Sequence, residues 1–128
     1  MVHDQAPIFK SIGQVVSNTN SSYTKGQTAK VVFWTGHPRN NLRTEDTFLK
    51  IQKKNGSSWE TVATDNDWET KYKWKRIDGF WGTSQATIEW AIPSDAASGT
   101  YRIKHYGNKK YAGKISSFTG KSREFSVN

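Results

Sequence analysis

The 128-residue sequence contains no cysteine. This absence excludes a disulfide framework, a thiolate-bound metal site and a thiol nucleophile. A domain of this length folds without such staples, because it removes roughly two-thirds of the surface of the unfolded chain from water. The absence does not identify the compartment, since oxidising conditions permit disulfides without requiring them.

Long hydrophobic runs are also missing. No segment approaches the roughly 20 consecutive apolar residues that a membrane-spanning helix needs. The first ten residues, MVHDQAPIFK, lack the apolar stretch of a signal peptide. We therefore expect a secreted protein with this sequence to be a mature piece or a fragment.

Acidic residues are in the minority. Nineteen Lys and Arg face eleven Asp and Glu, which gives a formal net charge of +8. This balance favours anionic partners such as acidic glycans, anionic lipid or nucleic acid. The alternative is a soluble surface that is simply basic, because the cations are mostly scattered lysines rather than a dense arginine cluster.

Aromatic residues, by contrast, make up 13% of the chain, and short segments with a period of two dominate the sequence. Such segments, separated by turn-forming residues, predict an all-β fold, an antiparallel β-sandwich of about seven to nine strands. The strand-like segments are 28–35, 47–52, 59–63, 86–92, 100–106 and 124–127, and the turn-like segments include 55–58 (NGSS) and 107–110 (GNKK).

The alternation also predicts which side chains face inward. Ile88, Trp90 and Ile92 share one face of their segment, and Tyr101 and Ile103 share one face of the next. In that second segment Arg102 and Lys104 point the other way, and we assign His105 to the polar side. Residues 1–8 read as an N-terminal arm or linker, and residues 9–128 as the sandwich domain.

No self-contained active site is indicated. His3, His37 and His105 are not spaced as metal ligands, and there is neither a Gly-rich phosphate loop nor a nucleophile elbow. The alternating carboxylates of Asp65, Asp67 and Glu69 could hold calcium, but the residues that follow do not fit an EF-hand. A solvated turn or a strand edge is the favoured interpretation of this set.

The segment 71–76 (KYKWKR) is the most distinctive local feature. In a strand, Lys71, Lys73 and Lys75 would form a basic stripe backed by aromatic packing. Phe80 and Trp81 follow in a Gly-flanked loop, where exposed aromatics would suit a membrane or protein interface. Capping of the core by Phe80 is an equally good interpretation, and nucleic acid is an improbable ligand because no RNA-binding signature accompanies these residues.

Two N-glycosylation sequons, at Asn20 and Asn55, fall in expected loops and lean weakly toward a secretory route.

The ordered motifs of the chain resemble the C-terminal domain of the neutral ceramidases. They span roughly residues 9–127, with His37 at a position where the family usually has Asn and a shorter segment between 109 and 117. The matching segments are GQTAKVVF (26–33), PRNNLRTEDTFL (38–49), VATDNDWET (62–70), Trp74, ATIEWAIP (86–93), GTYRIKHYG (99–107), FTGKS (118–122) and Phe125.

This resemblance implies an immunoglobulin-like sandwich that follows a larger, zinc-dependent catalytic domain. That catalytic domain cleaves the N-acyl bond of ceramide to give sphingosine and a fatty acid. The resemblance implies that this chain has no catalytic residues, binds no cofactor, and packs in cis on the catalytic domain, supporting its folding and its delivery to the cell surface. We therefore expect a secreted location or the extracellular face of the plasma membrane.

A polar loop, with Arg39, Asn40, Asn41 and Arg43, is the candidate interdomain contact. Bracing of its own turn is at least as good an interpretation. The competing hypothesis for the whole chain is a free-standing membrane-binding or glycan-binding sandwich that uses a basic and aromatic surface.

Overall fold

The computed structural model describes residues 4–7, 10–37, 48–78, 82–111 and 113–128. Within these ranges the chain forms ten strands, so the predicted all-β sandwich is confirmed. The patterns missed three of these strands, Val15–Ser17, Ser22–Tyr23 and Lys114–Lys121, and the immunoglobulin-like topology stays a prediction with which this arrangement is consistent. The strands are β1 (Val15–Ser17), β2 (Ser22–Tyr23), β3 (Thr28–Thr35), β4 (Leu49–Asn55), β5 (Ser58–Thr64), β6 (Thr70–Asp78), β7 (Thr83–Ala91), β8 (Gly99–Tyr111), β9 (Lys114–Lys121) and β10 (Phe125–Val127).

The strands form two sheets. The first sheet has the order β1-β3-β7-β6, and the second has the order β2-β10-β8-β4-β5 with β9 also paired to β8. All described pairings are antiparallel except that of β10 with β2. The long strand β8 pairs with β4 along one edge and with β10 and then β9 along the other. The second sheet is therefore organised around β8.

The core lies between the sheets and is built from the alternating side chains. The predicted inward set is confirmed, because Ile88, Trp90, Ile92, Tyr101 and Ile103 are all at most 2% exposed. Each buried aliphatic or aromatic side chain of this kind contributes about 1.5–3 kcal/mol. Other large members of the core are Phe33, Leu49, Ile51 and Phe125.

One of the predicted turns is present and the other is not. The segment 55–58 forms a two-residue hairpin in which Asn55 pairs with Ser58 and Gly56 has a positive φ of 64°. The segment 107–110 lies instead inside β8, so the turn predicted there is wrong. Gly107 faces Phe118 across the ladder, and a Cβ at Gly107 would come within 2.6 Å of the Phe118 ring. The glycine thus makes room for an aromatic ring rather than a turn.

In the part of the chain that the structure describes, no helix has the length and apolar character to cross a membrane.

Candidate functional site

The basic stripe predicted on β6 is present as a geometric feature. Lys71, Lys73 and Lys75 are exposed and alternate with the partly buried Tyr72 and Trp74. Glu89 of β7 lies opposite Lys71, and its Oε2 is 3.1 Å from Nζ of Lys73. A carboxylate therefore partly neutralises this stripe within its own sheet. The role proposed for the stripe stays a prediction.

The remaining predicted site residues lie outside the described ranges. These are Phe80 and Trp81 of the aromatic loop and Arg39, Asn40, Asn41 and Arg43 of the candidate interdomain loop. Their assigned roles stay predictions.

His105 is buried, so its assignment to the polar side was wrong. It is 1% exposed because it follows the same alternation as Tyr101 and Ile103 and therefore faces inward. Its Nδ1 is 2.9 Å from the carbonyl oxygen of Phe48, and its Nε2 is 2.9 Å from Oγ1 of Thr35. Both ring nitrogens are therefore engaged in structural hydrogen bonds.

Tyr72 belongs to the same buried region. Its ring centroid lies 5.6 Å from that of His105. Burial raises the pKa of the Tyr72 hydroxyl above 10.0, and a hydrogen bond with Thr35 lowers it in part. Thr35 thus connects two ring side chains, one from each sheet.

The acidic set after β5 braces a turn. Oδ2 of Asp67 accepts a hydrogen bond of 2.7 Å from the Thr64 amide, and Oδ2 of Asp65 accepts one of 3.0 Å from the Phe48 amide. The Thr70 hydroxyl closes the turn by donating to the carbonyl oxygens of Thr64 and Asp67, at 2.8 Å each. The turn interpretation therefore accounts for these carboxylates better than a calcium site does.

The same turn presents Trp68, which is 90% exposed. In the sequence this residue stands out only as part of the matching segment VATDNDWET, with no predicted role. The hydrogen bonds of Asp67 and Thr70 fix the backbone on both sides of Trp68, and the ring projects into solvent. Exposed tryptophan is the group that a membrane-binding or glycan-binding surface would use.

Asp4 is the second residue whose importance the sequence did not indicate. Its side chain is 0% exposed. Oδ1 accepts a 2.7 Å hydrogen bond from the His37 amide and lies 3.5 Å from Nη1 of Arg76, while Oδ2 accepts a 2.9 Å bond from the Lys110 amide. The backbone amide of Asp4 also donates to the carbonyl of Lys110 at 2.8 Å. The described part of the arm is thus tied to the sandwich, although a lone Asp in a polar segment carries no signal of this.

A cavity of about 530 Å³ lies beside the arm. The described part of its wall is mainly apolar and includes one carboxylate and no histidine, so these residues offer no acid–base pair. The described lining residues are Gln5, Ala6, Pro7, Trp34, Ile77, Asp78 and Thr83.

The described residues do not fit the zinc that the resemblance associates with the catalytic domain. Among them, no three His, Cys, Asp or Glu side chains come together as a metal site. His105, the buried histidine, already uses both ring nitrogens. A zinc ligand needs one of these nitrogens with its lone pair available.

Comparison with known proteins gives one consistent result. The family model described as neutral/alkaline non-lysosomal ceramidase, C-terminal, matches residues 1–127. The neutral ceramidase of Pseudomonas aeruginosa is 47% identical over 99% of this chain, and that of Oryza sativa is 40% identical over 99%. A crystal structure of the Pseudomonas aeruginosa enzyme superposes with a TM-score of 0.91 and 44% identity over 98% of this chain.

The match covers only part of those proteins. The chain spans 19% of the Pseudomonas relative, 17% of the rice relative and 20% of the superposed crystal chain.

Proposed function

Because this chain belongs to the neutral/alkaline non-lysosomal ceramidase family and corresponds to its C-terminal domain, we propose that it is a non-catalytic accessory domain. In this proposal it packs in cis on a ceramidase catalytic domain and supports the folding of that domain. The parent reaction is the hydrolysis of the N-acyl bond of ceramide, in which water is consumed and sphingosine and a fatty acid are formed.

The observation that carries this proposal is the unequal coverage of the match. Nearly all of this chain aligns with about a fifth of a neutral ceramidase. This supports the proposal that the chemistry, including the zinc ion, belongs to the other four-fifths. Two buried groups of the described residues that could act as a base have structural partners: His105 joins the sheets, and Asp4 holds the arm.

The anchored arm supports the packing role. Residues 5–7 form part of the wall of the apolar cavity, together with Trp34 and the 44% exposed Ile77. A segment that enters the domain at this point brings the preceding part of a ceramidase next to the cavity. We propose that the catalytic domain covers this apolar surface, because a wall of this kind is typical of the buried centre of an interface.

Delivery to the cell surface is the second part of the proposal, with a secreted or extracellular location. The two sequon asparagines, Asn20 and Asn55, are both exposed and therefore accessible to glycosylation. Replacement of each by Gln, followed by a gel-shift comparison after expression through a eukaryotic secretory route, tests whether they are used. The absence of any shift in the native chain would contradict a glycosylated route.

The proposed lack of catalytic activity in this chain can be tested directly. The purified chain is incubated with a fluorescent ceramide and added zinc, beside a whole neutral ceramidase as positive control. We expect release of fatty acid by the whole enzyme and none by the chain. Turnover by the pure chain that persists through further purification would overturn the proposal.

A further inference from the structure

The outer face of the second sheet carries a row of like charges that the sequence alone does not reveal. Lys50 of β4 lies directly opposite Lys104 of β8, and Lys104 lies directly opposite Lys121 of β9. Neighbouring strands are about 4.8 Å apart, so three ammonium groups occupy a short line across three strands. Like charges in directly opposed positions are destabilising. We call these three residues the lysine row.

The lysine row is not neutralised within the described part of the molecule. The described carboxylates form salt bridges with Lys54, Lys73 and Arg76, and with none of the three residues in the row. Tyr106 lies between two members, with Nζ of Lys50 at 5.4 Å and Nζ of Lys104 at 5.3 Å from its ring centroid. The Tyr106 ring therefore makes cation–π contacts with both Lys50 and Lys104, and these contacts occupy the ring that a ligand would otherwise stack on.

Arg102 extends the same basic face with a fixed orientation. Its guanidinium carbon lies 4.1 Å from the centroid of the Trp59 ring, and its Nε donates a 2.8 Å hydrogen bond to Oε1 of Gln52. An arginine held by stacking and by one hydrogen bond presents its other donors in a preorganised fork, which suits a phosphate. The carboxylates near this face lie at its rim: Oε1 of Glu124 is 3.8 Å from Nζ of Lys54, and Asp65 and Asp67 accept backbone hydrogen bonds in the turn that begins at Thr64.

The first sheet differs in this respect. Glu89 lies opposite both Lys30 and Lys71 and pairs with Lys73. Its basic residues therefore have a carboxylate among them, whereas the lysine row does not. The second sheet is the stronger candidate for an external anion.

An exposed aromatic anchor stands next to the lysine row. Thr64 pairs with Lys50, so it continues the row onto the edge strand β5. Thr64 also begins the braced turn that carries Trp68, whose side chain is 90% exposed. Basic residues beside an exposed tryptophan are the combination that binds at the headgroup level of a bilayer.

We propose that the lysine row and Trp68 form a docking surface for an anionic phospholipid bilayer. A sheet face presents its charges in one plane, which matches the plane of phosphates of a membrane. The face lacks the exposed apolar centre of a protein interface, since Trp59 and Tyr106 lie under cations. Nucleic-acid bases would need open rings on which to stack. The proposal does not depend on the accessory role.

The test is cosedimentation of the chain with phosphatidylcholine vesicles that contain roughly 30% phosphatidylserine or none, at low and physiological salt. We expect binding to the anionic vesicles only, weakened by salt. The combined Lys50→Gln, Lys104→Gln, Lys121→Gln variant should bind at least about tenfold more weakly, because each lysine near an anionic surface contributes measurably. Trp68→Ser should weaken binding without any change in net charge.

The matched control is the combined Lys71→Gln, Lys73→Gln, Lys75→Gln variant, which removes the same three charges from the other sheet. We expect it to bind within about threefold of the native chain at physiological salt, where only nearby charges act strongly. Removing mutually repelling charges should not unfold the row variant, and its thermal midpoint is measured to verify this.

Several outcomes overturn the proposal. They are no binding by the native chain, equal losses in the two lysine variants, a larger loss in the control, or binding to heparin without binding to anionic vesicles. The heparin outcome would reassign the surface to an acidic glycan. Ceramide hydrolysis by the chain would contradict the accessory role and leave this result unaffected.

Discussion

Nε2 of His105 in the second sheet lies 2.9 Å from Oγ1 of Thr35 in the first, so a hydrogen bond joins the two sheets inside the core. Because the carbonyl of Phe48 can only accept, Nδ1 of His105 donates to it. In the neutral ring, Nε2 then accepts from the Thr35 hydroxyl. A buried histidine with both nitrogens satisfied stabilises the pairing of the sheets and has no free lone pair for catalysis.

Replacing His105 by Leu should destabilise the domain by about 2–4 kcal/mol, because the Phe48 carbonyl and the Thr35 hydroxyl each lose one of their buried hydrogen bonds and the imidazole is removed from the core. Thr35→Val should cost about 1–2 kcal/mol. Urea unfolding of both single variants and the double variant measures the coupling. The double variant should lose less free energy of unfolding than the two single variants lose together. Additive losses would show that the two residues act independently.

Alkaline pH should destabilise the domain through Tyr72. Since burial raises its pKa in the folded state above 10.0, its stabilising contribution is complete below the pKa of the unfolded chain. It is lost as the pH rises through the folded-state value, because the unfolded state releases the proton first. Urea unfolding below and above about pH 10 should show this decline.

Tyr72→Phe is the matched variant for this experiment. It should make the alkaline decline shallower without abolishing it, because burial, with the nearby charge of Glu60, also raises the pKa of Tyr101. An unchanged decline would show that Tyr72 is not the titrating group.

The arm should be released by Asp4→Asn. An amide offers one acceptor oxygen in place of two, so the His37 or the Lys110 amide must lose its bond. We expect a cost of about 1–3 kcal/mol, together with faster hydrogen exchange at Lys110 and faster proteolysis within residues 4–7. Asp95→Asn, at an exposed position, is the control and should stay within about 0.5 kcal/mol of the native chain. If the Asp4→Asn variant keeps slow hydrogen exchange at Lys110 and resists proteolysis within residues 4–7 as the native chain does, Asp4 does not anchor the arm.

Crowding at Gly107 gives a prediction about packing. An alanine Cβ there would lie 2.6 and 2.8 Å from Cζ and Cε1 of Phe118, so Gly107→Ala should destabilise by about 1–3 kcal/mol. In a Phe118→Leu background the same change should cost less, because the ring that it meets has been removed. Equal costs in both backgrounds, from thermal unfolding, would show that the ring is not the obstacle.

Local alternation was sufficient to predict much of the fold. It gave the all-β class and the inward set around Trp90 and Ile103, because the direction of a strand side chain depends only on its position in the strand. The same rule would have placed His105 inward. Assigning it by polarity was the error, since a partner across the sheets satisfies the ring.

Non-local relations could not be predicted in this way. The turn assigned at 107–110 follows from composition, but the ring of Phe118, eleven positions beyond Gly107, decides the conformation. The lysine row depends on the register of three strands, and the burial of Asp4 depends on contacts with residues far along the chain. The roles of Phe80, Trp81 and the loop at 39–43 stay predictions.

The most direct measurement asks whether a ceramidase catalytic domain needs this chain. The Pseudomonas aeruginosa relative, truncated before the region that matches here, is expressed alone, with this chain as a separate polypeptide, or with its Asp4→Asn variant. Soluble protein, complex formation and ceramide hydrolysis are then measured. The account predicts a stable complex and higher recovery of active enzyme with the native chain. Equal recovery of active enzyme with and without the chain, and no complex, would contradict it.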